Sequence, residues 1–367
     1  MLNQVMAKSS QLGLTCSDLV LDHAIYSKAL EVINNPVNDH LRKVVNLRMG
    51  GFHACGIFLA VIGKRFGSAG LKDLIIESNL AGTDSTDSIL KGKHYNRGVR
   101  IMKYIYEALQ RLKIETFHDW LQKENKADLV AEFTASEAFA NLLKERKPVF
   151  MEAGIDGIEE LSSLFMEYEE KMRNQEFGPM AAFWQSFLDM VQILLDFIRA
   201  VRTGDWDLHL QACQQMLVWM HAYDRINYSR HFTYYWASQQ NINEKFPSMY
   251  QEFKNGNFST KRSPGKFNML PPDQVIEQTI NRDQKGSGGI KHISTSTGSV
   301  QRWILSSHNT ATIVSDMRNS IDLDRLNIIP KDLNSKRMDF DETCVRSCQD
   351  IVGKKLFFKS KNSDSPF

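Results

Sequence analysis

Apolar positions in the first seventy residues fall in two short runs, each followed by a longer stretch with helical spacing. The first run, LVL at 19–21, ends at Asp22, and the stretch after it continues to Asn34-Asn35-Pro36, which stops a helix. The second run, KVVNLRM at 43–49, reads as another strand. After Gly50-Gly51, the segment FHACGIFLAVIGKRF reads as a helix. Two strand–helix units with short links predict an α/β sheet with at least one parallel pair. Two strands are fewer than a stable sheet usually has, so this region reads as an incomplete sheet.

From Gly70 to about Asn255 the spacing is helical nearly throughout. Val99, Met102, Ile105, Tyr106 and Leu109 fall on one stripe. Residues 181–202 carry the strongest helical pattern, and 206–223 carry another. Residues 122–175 are charged and end in EYEEKMRNQE, which predicts a solvated helix or a partly ordered excursion. At Asn255 the composition turns to Gly, Pro, Ser and Lys. One short helix is expected there, opened by Pro271-Pro272-Asp273. Residues beyond Ile329 are polar and aperiodic. The chain therefore divides into strand–helix units at 1–69, a helical region at 70–254, a basic segment with a helix at 255–305, and a mostly flexible polar tail at 306–367.

Composition narrows the classes. The chain has 367 residues, 42% of them hydrophobic, enough for one large or two modest cores. A net charge of +2 excludes a polycation, so nucleic-acid affinity has to come from a local patch. Residues 254–302 supply one, with eight Lys/Arg against three Asp/Glu. Lys261, Arg262, Lys266, Arg282, Lys285 and Lys291 are its candidate DNA contacts. The five cysteines are scattered, which predicts free thiols in a reducing compartment. Cys344 and Cys348 are the only close pair, and no His or second Cys pair accompanies them as metal ligands. The first residues lack the pattern of a secretory signal, and no run approaches the ~20 apolar residues of a membrane span. These features predict an intracellular protein, nuclear or cytoplasmic, with no membrane partner.

Four places carry candidate chemistry. Asp22 ends a strand at the edge where α/β sheets build sites, but caps are common at such junctions and Asp caps a helix well. His53 follows the Gly50-Gly51 turn, where an imidazole orients a carboxylate, binds a metal or simply braces the turn. Asp273 and Glu277 lie four apart on one helix face, as metal-holding acids or as a solvated acidic helix start. Residues 221–238 mix Tyr, Trp, His and Arg, which suits either a nucleic-acid track or a half-buried amphipathic helix.

Several strings, LDHAIYSKALEV, RMGGFH, FIRAVRTGDWDLHL, YDRINYSRH, EFKNGNFSTKRSPGKFN and PPDQVIEQTINRDQKGSGGI among them, follow in order from about Leu14 to Trp303. In this the chain resembles transposon-derived proteins of invertebrate genomes. Its layout is similar to RNase H-like transposases with a helical insertion, such as the hAT group. The resemblance implies a partial RNase H-like sheet interrupted by a large all-α insertion, an α/β plus α chain that is mostly helical overall. It implies Asp22 as the second catalytic acid, His53 as a supporting landmark and Glu277 as the last acid, with Asp273 its rival. Asp22 and Glu277 would then hold Mg²⁺ or Mn²⁺ for attack on a DNA phosphodiester. The pattern departs from that family at Gly50, where a Cys or Asp is usual. It departs again upstream of Asp22, where Asp18 is the sole acid near a strand and the first three strands are expected to be missing. A DNA-binding protein without catalysis is thus expected. The alternatives are a helical interaction protein that self-associates and a metal-dependent nuclease completed by missing upstream strands.

Overall fold

The computed structural model describes residues 2–137, 139–140, 158–223, 226–262, 267–279, 281, 296–320 and 331–354. In chain order the elements are α1 Leu2–Gln11, β1 Ser17–Leu21, α2 His23–Asn34, α3 Asp39–Val44, β2 Val45–Met49 and α4 Gly51–Phe66. Then come α5 Leu71–Glu77, α6 Thr83–Leu90, α7 Tyr95–Lys123, α8 Asp128–Ala135, α9 Ile158–Arg173 and α10 Pro179–Thr203. The chain continues with α11 Trp206–Ala222, α12 Ile226–Gln240, α13 Ile242–Lys245, α14 Pro247–Lys254 and the short strands β3 Thr260–Lys261 and β4 Met269–Leu270. It closes with α15 Pro272–Gln278, α16 Thr297–Ser320 and α17 Lys331–Lys354. Contacts divide the chain into one unit of Met1–Val61 with Ile193–Phe340 and another of Ile62–Gln192 with Asp341–Phe367.

In the first unit, β1 and β2 run parallel, with Ser17 opposite Val45 and Leu21 opposite Met49. The crossover between them is α2 and α3. Asp22, in extended backbone, starts α2 by accepting the Ile25 N–H at 2.8 Å. Tyr26, Ala29 and Ile33 then form its buried stripe. At the far end Asn35-Pro36 turns the chain, and α3 runs on to Val44, so β2 begins two residues later than the apolar run suggests. β2 is buried at all five positions, as a strand covered on both faces must be. Its two polar side chains are matched there. Arg48, 5% exposed, holds Asp18 at 2.5 Å and lies 4.7 Å over the Phe253 ring. Asn46 donates to Asp18 at 2.9 Å and accepts from Gln239 Nε2 at 3.0 Å.

In the second unit, the predicted stripe of α7 buries Val99, Met102, Ile105 and Leu109 and leaves Tyr106 half-buried. Its C-terminal half meets α9 through Phe117, Trp120 and Tyr168, with ring centroids 5.4–5.9 Å apart. Lys113 of α7 is buried, bonds Glu169 of α9 at 2.5 Å and lies 5.1 Å from the Phe165 ring. Burial, the largest influence, pulls the Lys113 ammonium below its ordinary range, while Glu169 opposes that shift.

Several expectations are corrected. The charged stretch 122–175 was expected to be a solvated helix or a partly ordered excursion; α8 buries no residue, whereas α9 buries Ile158, Leu164, Tyr168 and Met172. The segment 306–367 was expected to be mostly a flexible tail, yet it holds the end of α16 and all of α17. α17 buries Val345, Cys348 and Val352, three apolar positions at helical spacing within a charged sequence. The contact division also places 193–254 with the strands rather than with the rest of the helical region. Helix α10 is long and apolar enough to cross a membrane by length and composition, against the sequence expectation. About half of its most apolar window, 56%, is buried inside the fold. No disulfide joins any of the five cysteines, all of which are among the described residues. The chain is mostly helical with a small parallel sheet. Among the described residues that sheet has two strands.

Candidate functional site at the carboxyl edge of the parallel strands

Because β1 and β2 are parallel, their carboxyl ends open on one edge, where α/β folds gather chemistry. β1 delivers Asp22 there, and β2 delivers Gly50-Gly51 and the first turn of α4. The N-terminus of a helix exposes unpaired N–H groups and favours a negative charge. Here the charge comes from far along the chain. Asp273, in the first turn of α15, accepts the Phe52 N–H on Oδ1 and the His53 N–H on Oδ2, each at 3.2 Å. Its Oδ2 also lies 3.0 Å from His53 Nδ1. Asp273 is thus a cap supplied from 220 residues away, and its side chain is 7% exposed against 37% for His53.

Glycine at position 50 is what admits this carboxylate. A Cβ built on Gly50 would stand 2.7 Å from Asp273 Cγ and would overlap Oδ2. Gly51 is different, because its Cβ position lies in ordinary contact at 3.4 Å from Pro271 and 3.5 Å from Phe197. The place where the resemblance leads one to expect Cys or Asp is therefore filled by the side chain of Asp273. Pro271 and Pro272 start α15 so that Asp273 falls within its first turn.

The hydrogen bond to Asp273 raises the His53 pKa, and burial opposes the rise. The charges of Asp273, Glu277 and Asp22 add to it in that order. The sequence-predicted residues Asp22, His53, Asp273 and Glu277 thus share one electrostatic neighbourhood. Within it, Asp273 bonds His53, Asp22 is engaged with the Ile25 N–H, and Glu277 Oε1 accepts from Asn281 Nδ2 at 2.7 Å. Asp18 lies on the strand and is committed to Arg48 and Asn46. Among the described residues no group of three or more His, Cys, Asp or Glu side chains is arranged to hold a metal ion. The resemblance implies Mg²⁺ or Mn²⁺ on Asp22 and Glu277, and here those two carboxylates accept from the Ile25 N–H and from Asn281 Nδ2. The most buried of the acids, Asp273, already uses both of its oxygens on backbone N–H groups.

Beside this edge lies a pair that the sequence did not single out. His23 Nε2 is 2.9 Å from His231 Nδ1, and the His23 ring stacks on Tyr228 at 4.2 Å. A His directly after the strand-end Asp22 was the available signal. The mixed segment 221–238 follows its packing reading over most of α12. Phe232 and Tyr235 are buried, Tyr235 bonds His209 at 2.8 Å, and Trp236 Nε1 donates to the Leu210 carbonyl at 3.2 Å. Burial pushes the pKa of His209 down to about 3. Lys261 and Arg262 are exposed, whereas Lys266, Arg282, Lys285 and Lys291 lie outside the described residues.

The fold and this edge define a mostly helical protein built on one parallel strand pair, with a histidine–aspartate clasp where the second strand becomes a helix. The chain belongs to a family described as a domain of unknown function (DUF8702), whose profile matches residues 1–363. No curated protein and no solved structure matches it.

Proposed function

We propose that this chain is a transposase-derived DNA-binding protein that does not cut or join strands, its former acid positions having become structural. The observation that carries this reading is the seat of Asp273. Both of its oxygens accept backbone N–H groups at the start of α4, and Oδ2 also bonds His53, so this carboxylate serves to hold that turn. Two further observations support it: Asp22 works as the cap of α2, and Asp18 is held by Arg48. The basic stretch 254–302 supplies the contact to DNA, in the manner of phosphate-directed, salt-sensitive binding.

The test has two arms on the purified chain. Duplex DNA is expected to shift in a gel at low salt, with affinity falling steeply as salt rises. Supercoiled DNA with Mg²⁺ or Mn²⁺ is expected to stay unnicked. Nicking that disappears in both Asp22→Ala and Glu277→Ala would overturn the non-catalytic part, and no shift at low salt would overturn the DNA-binding part.

A further inference from the structure

The Gly50 N–H donates to the Leu21 carbonyl at 2.9 Å, and this fixes the phase of the parallel ladder. Ser17, Leu19 and Leu21 turn their backbone groups toward β2, and Asp18 and Val20 turn theirs away. Among the described residues, the two N–H and two C=O groups of Asp18 and Val20 meet no hydrogen-bond partner. β1 is half-buried after Ser17 and is touched by α1 and α15, whereas β2 is buried throughout, so β1 is the more exposed of the two strands. Edges of this kind are usually blunted by Pro, Lys or a bulge. The strand SDLVL has no Pro and no Lys, pairs with β2 without a bulge, and has its single charge folded back onto Arg48.

We propose that β1 pairs antiparallel with β1 of a second copy of this chain, about a two-fold axis at Leu19. With Leu19 opposite its counterpart, Asp18 stands opposite Val20 and Val20 opposite Asp18. Both are pairs whose backbone groups face each other, so each exchanges two hydrogen bonds. The outward donors of the two copies then meet the outward acceptors with none left over. Neighbouring registers fail on charge. Centring on Asp18 sets two Asp18 carboxylates opposite each other, and centring on Val20 sets Asp18 opposite Asp22 twice. Odd shifts set outward backbone groups against inward ones. The chosen register converts two two-stranded sheets into one of four strands, within the usual range for a stable sheet. It is a self-complementary interface of the commonest symmetry. A strand pair this short buries little surface, so the association is weak and visible only in concentrated solution. The proposal stands apart from the DNA-binding reading, and either can fail alone.

The test follows sedimentation of the full chain across a concentration series, with residue-resolved amide exchange at each point. The average mass is expected to rise toward a dimer. The Asp18 and Val20 amides are expected to exchange fast in dilute solution and slowly in concentrated solution, while Leu19 and Leu21 stay slow throughout. Val20→Pro deletes one outward N–H and leaves the ladder to β2 intact, and it is expected to weaken association at least tenfold with Leu19 and Leu21 still slow. A monomer at every concentration would overturn the proposal. So would a dimer whose Asp18 and Val20 amides remain fast, or Asp18 and Val20 amides that are already slow in the monomer. If Val20→Pro disturbs the sheet, the wild-type exchange data decide alone.

Discussion

At the scale of single residues, Gly50 and His53 set the site by opposite means, one by absence of a side chain and one by a bond. Gly50→Ala places a methyl group where Asp273 sits, so either the cap of α4 or the seat of α15 has to shift. Overpacking of this kind costs about 1–3 kcal/mol, and urea unfolding of the variant is expected to show a loss in that range. His53 makes a different prediction. Its pKa is raised in the folded chain, chiefly by the bond to Asp273, so folding favours its protonated form. That contribution is fully present below the ordinary histidine pKa of ~6.5 and fades as pH rises through the raised folded value. His53→Gln is therefore expected to lower the unfolding midpoint more at pH 6 than at pH 8. An equal loss at both pH values would mean that the ring works by packing alone. The sequence showed the ingredients of this clasp without its wiring. Asp273 and Glu277 share a helix face and look alike in the sequence. Only the gap at Gly50, more than 220 positions away, selects Asp273 to be buried against α4.

At the scale of elements, what was legible followed apolar periodicity. Both strands, the crossover helix and the stripe of α7 are set by where apolar side chains recur, and they stand close to where the pattern puts them. Polar partnerships between elements leave no such trace. Asp18 and Arg48 read as ordinary strand charges until β1 and β2 are aligned, when Arg48 proves to be buried with Asp18 as its counter-charge. Asp18→Asn keeps the shape and removes the charge, leaving a buried guanidinium without its ion partner. Breaking a buried pair in this way costs about 3–5 kcal/mol. Because Asp18 is 22% exposed, solvent screening reduces the expectation to about 2–4 kcal/mol. Chemical denaturation measures the loss. Arg48→Met in the same background is expected to recover part of it, because the buried charge is then gone. A double variant no more stable than Asp18→Asn would count against the pair as the source.

At the scale of the whole molecule, sequence order and compact units disagree, and the disagreement lies at the C-terminus. The second unit is assembled from 62–192 and from 341–367, so its last piece arrives after the chain has returned to the strands and passed α15. The sequence hid this because α17 carries many charges of both signs, and Val345, Cys348 and Val352 do not stand out among its 24 residues. Those three are nevertheless core. Cys348 and Val352 are fully buried and Val345 is 5% exposed. At the start of the same segment, Asp341 accepts from the Tyr104 hydroxyl and Glu342 pairs with Arg111 at 2.8 Å, both on α7. If α17 belongs to the core of the second unit, damage to it has to register in that unit. Val352→Asp puts a carboxylate into a fully buried position, and the unpaired burial is expected to cost about 3 kcal/mol or more. Amide exchange mapped by mass spectrometry is expected to quicken over α5–α7, with β1 and β2 unchanged. Val352→Ala, which removes only apolar volume, is expected to quicken the same peptides by less. Unchanged exchange over α5–α7 in Val352→Asp would return 341–354 to the status of a tail.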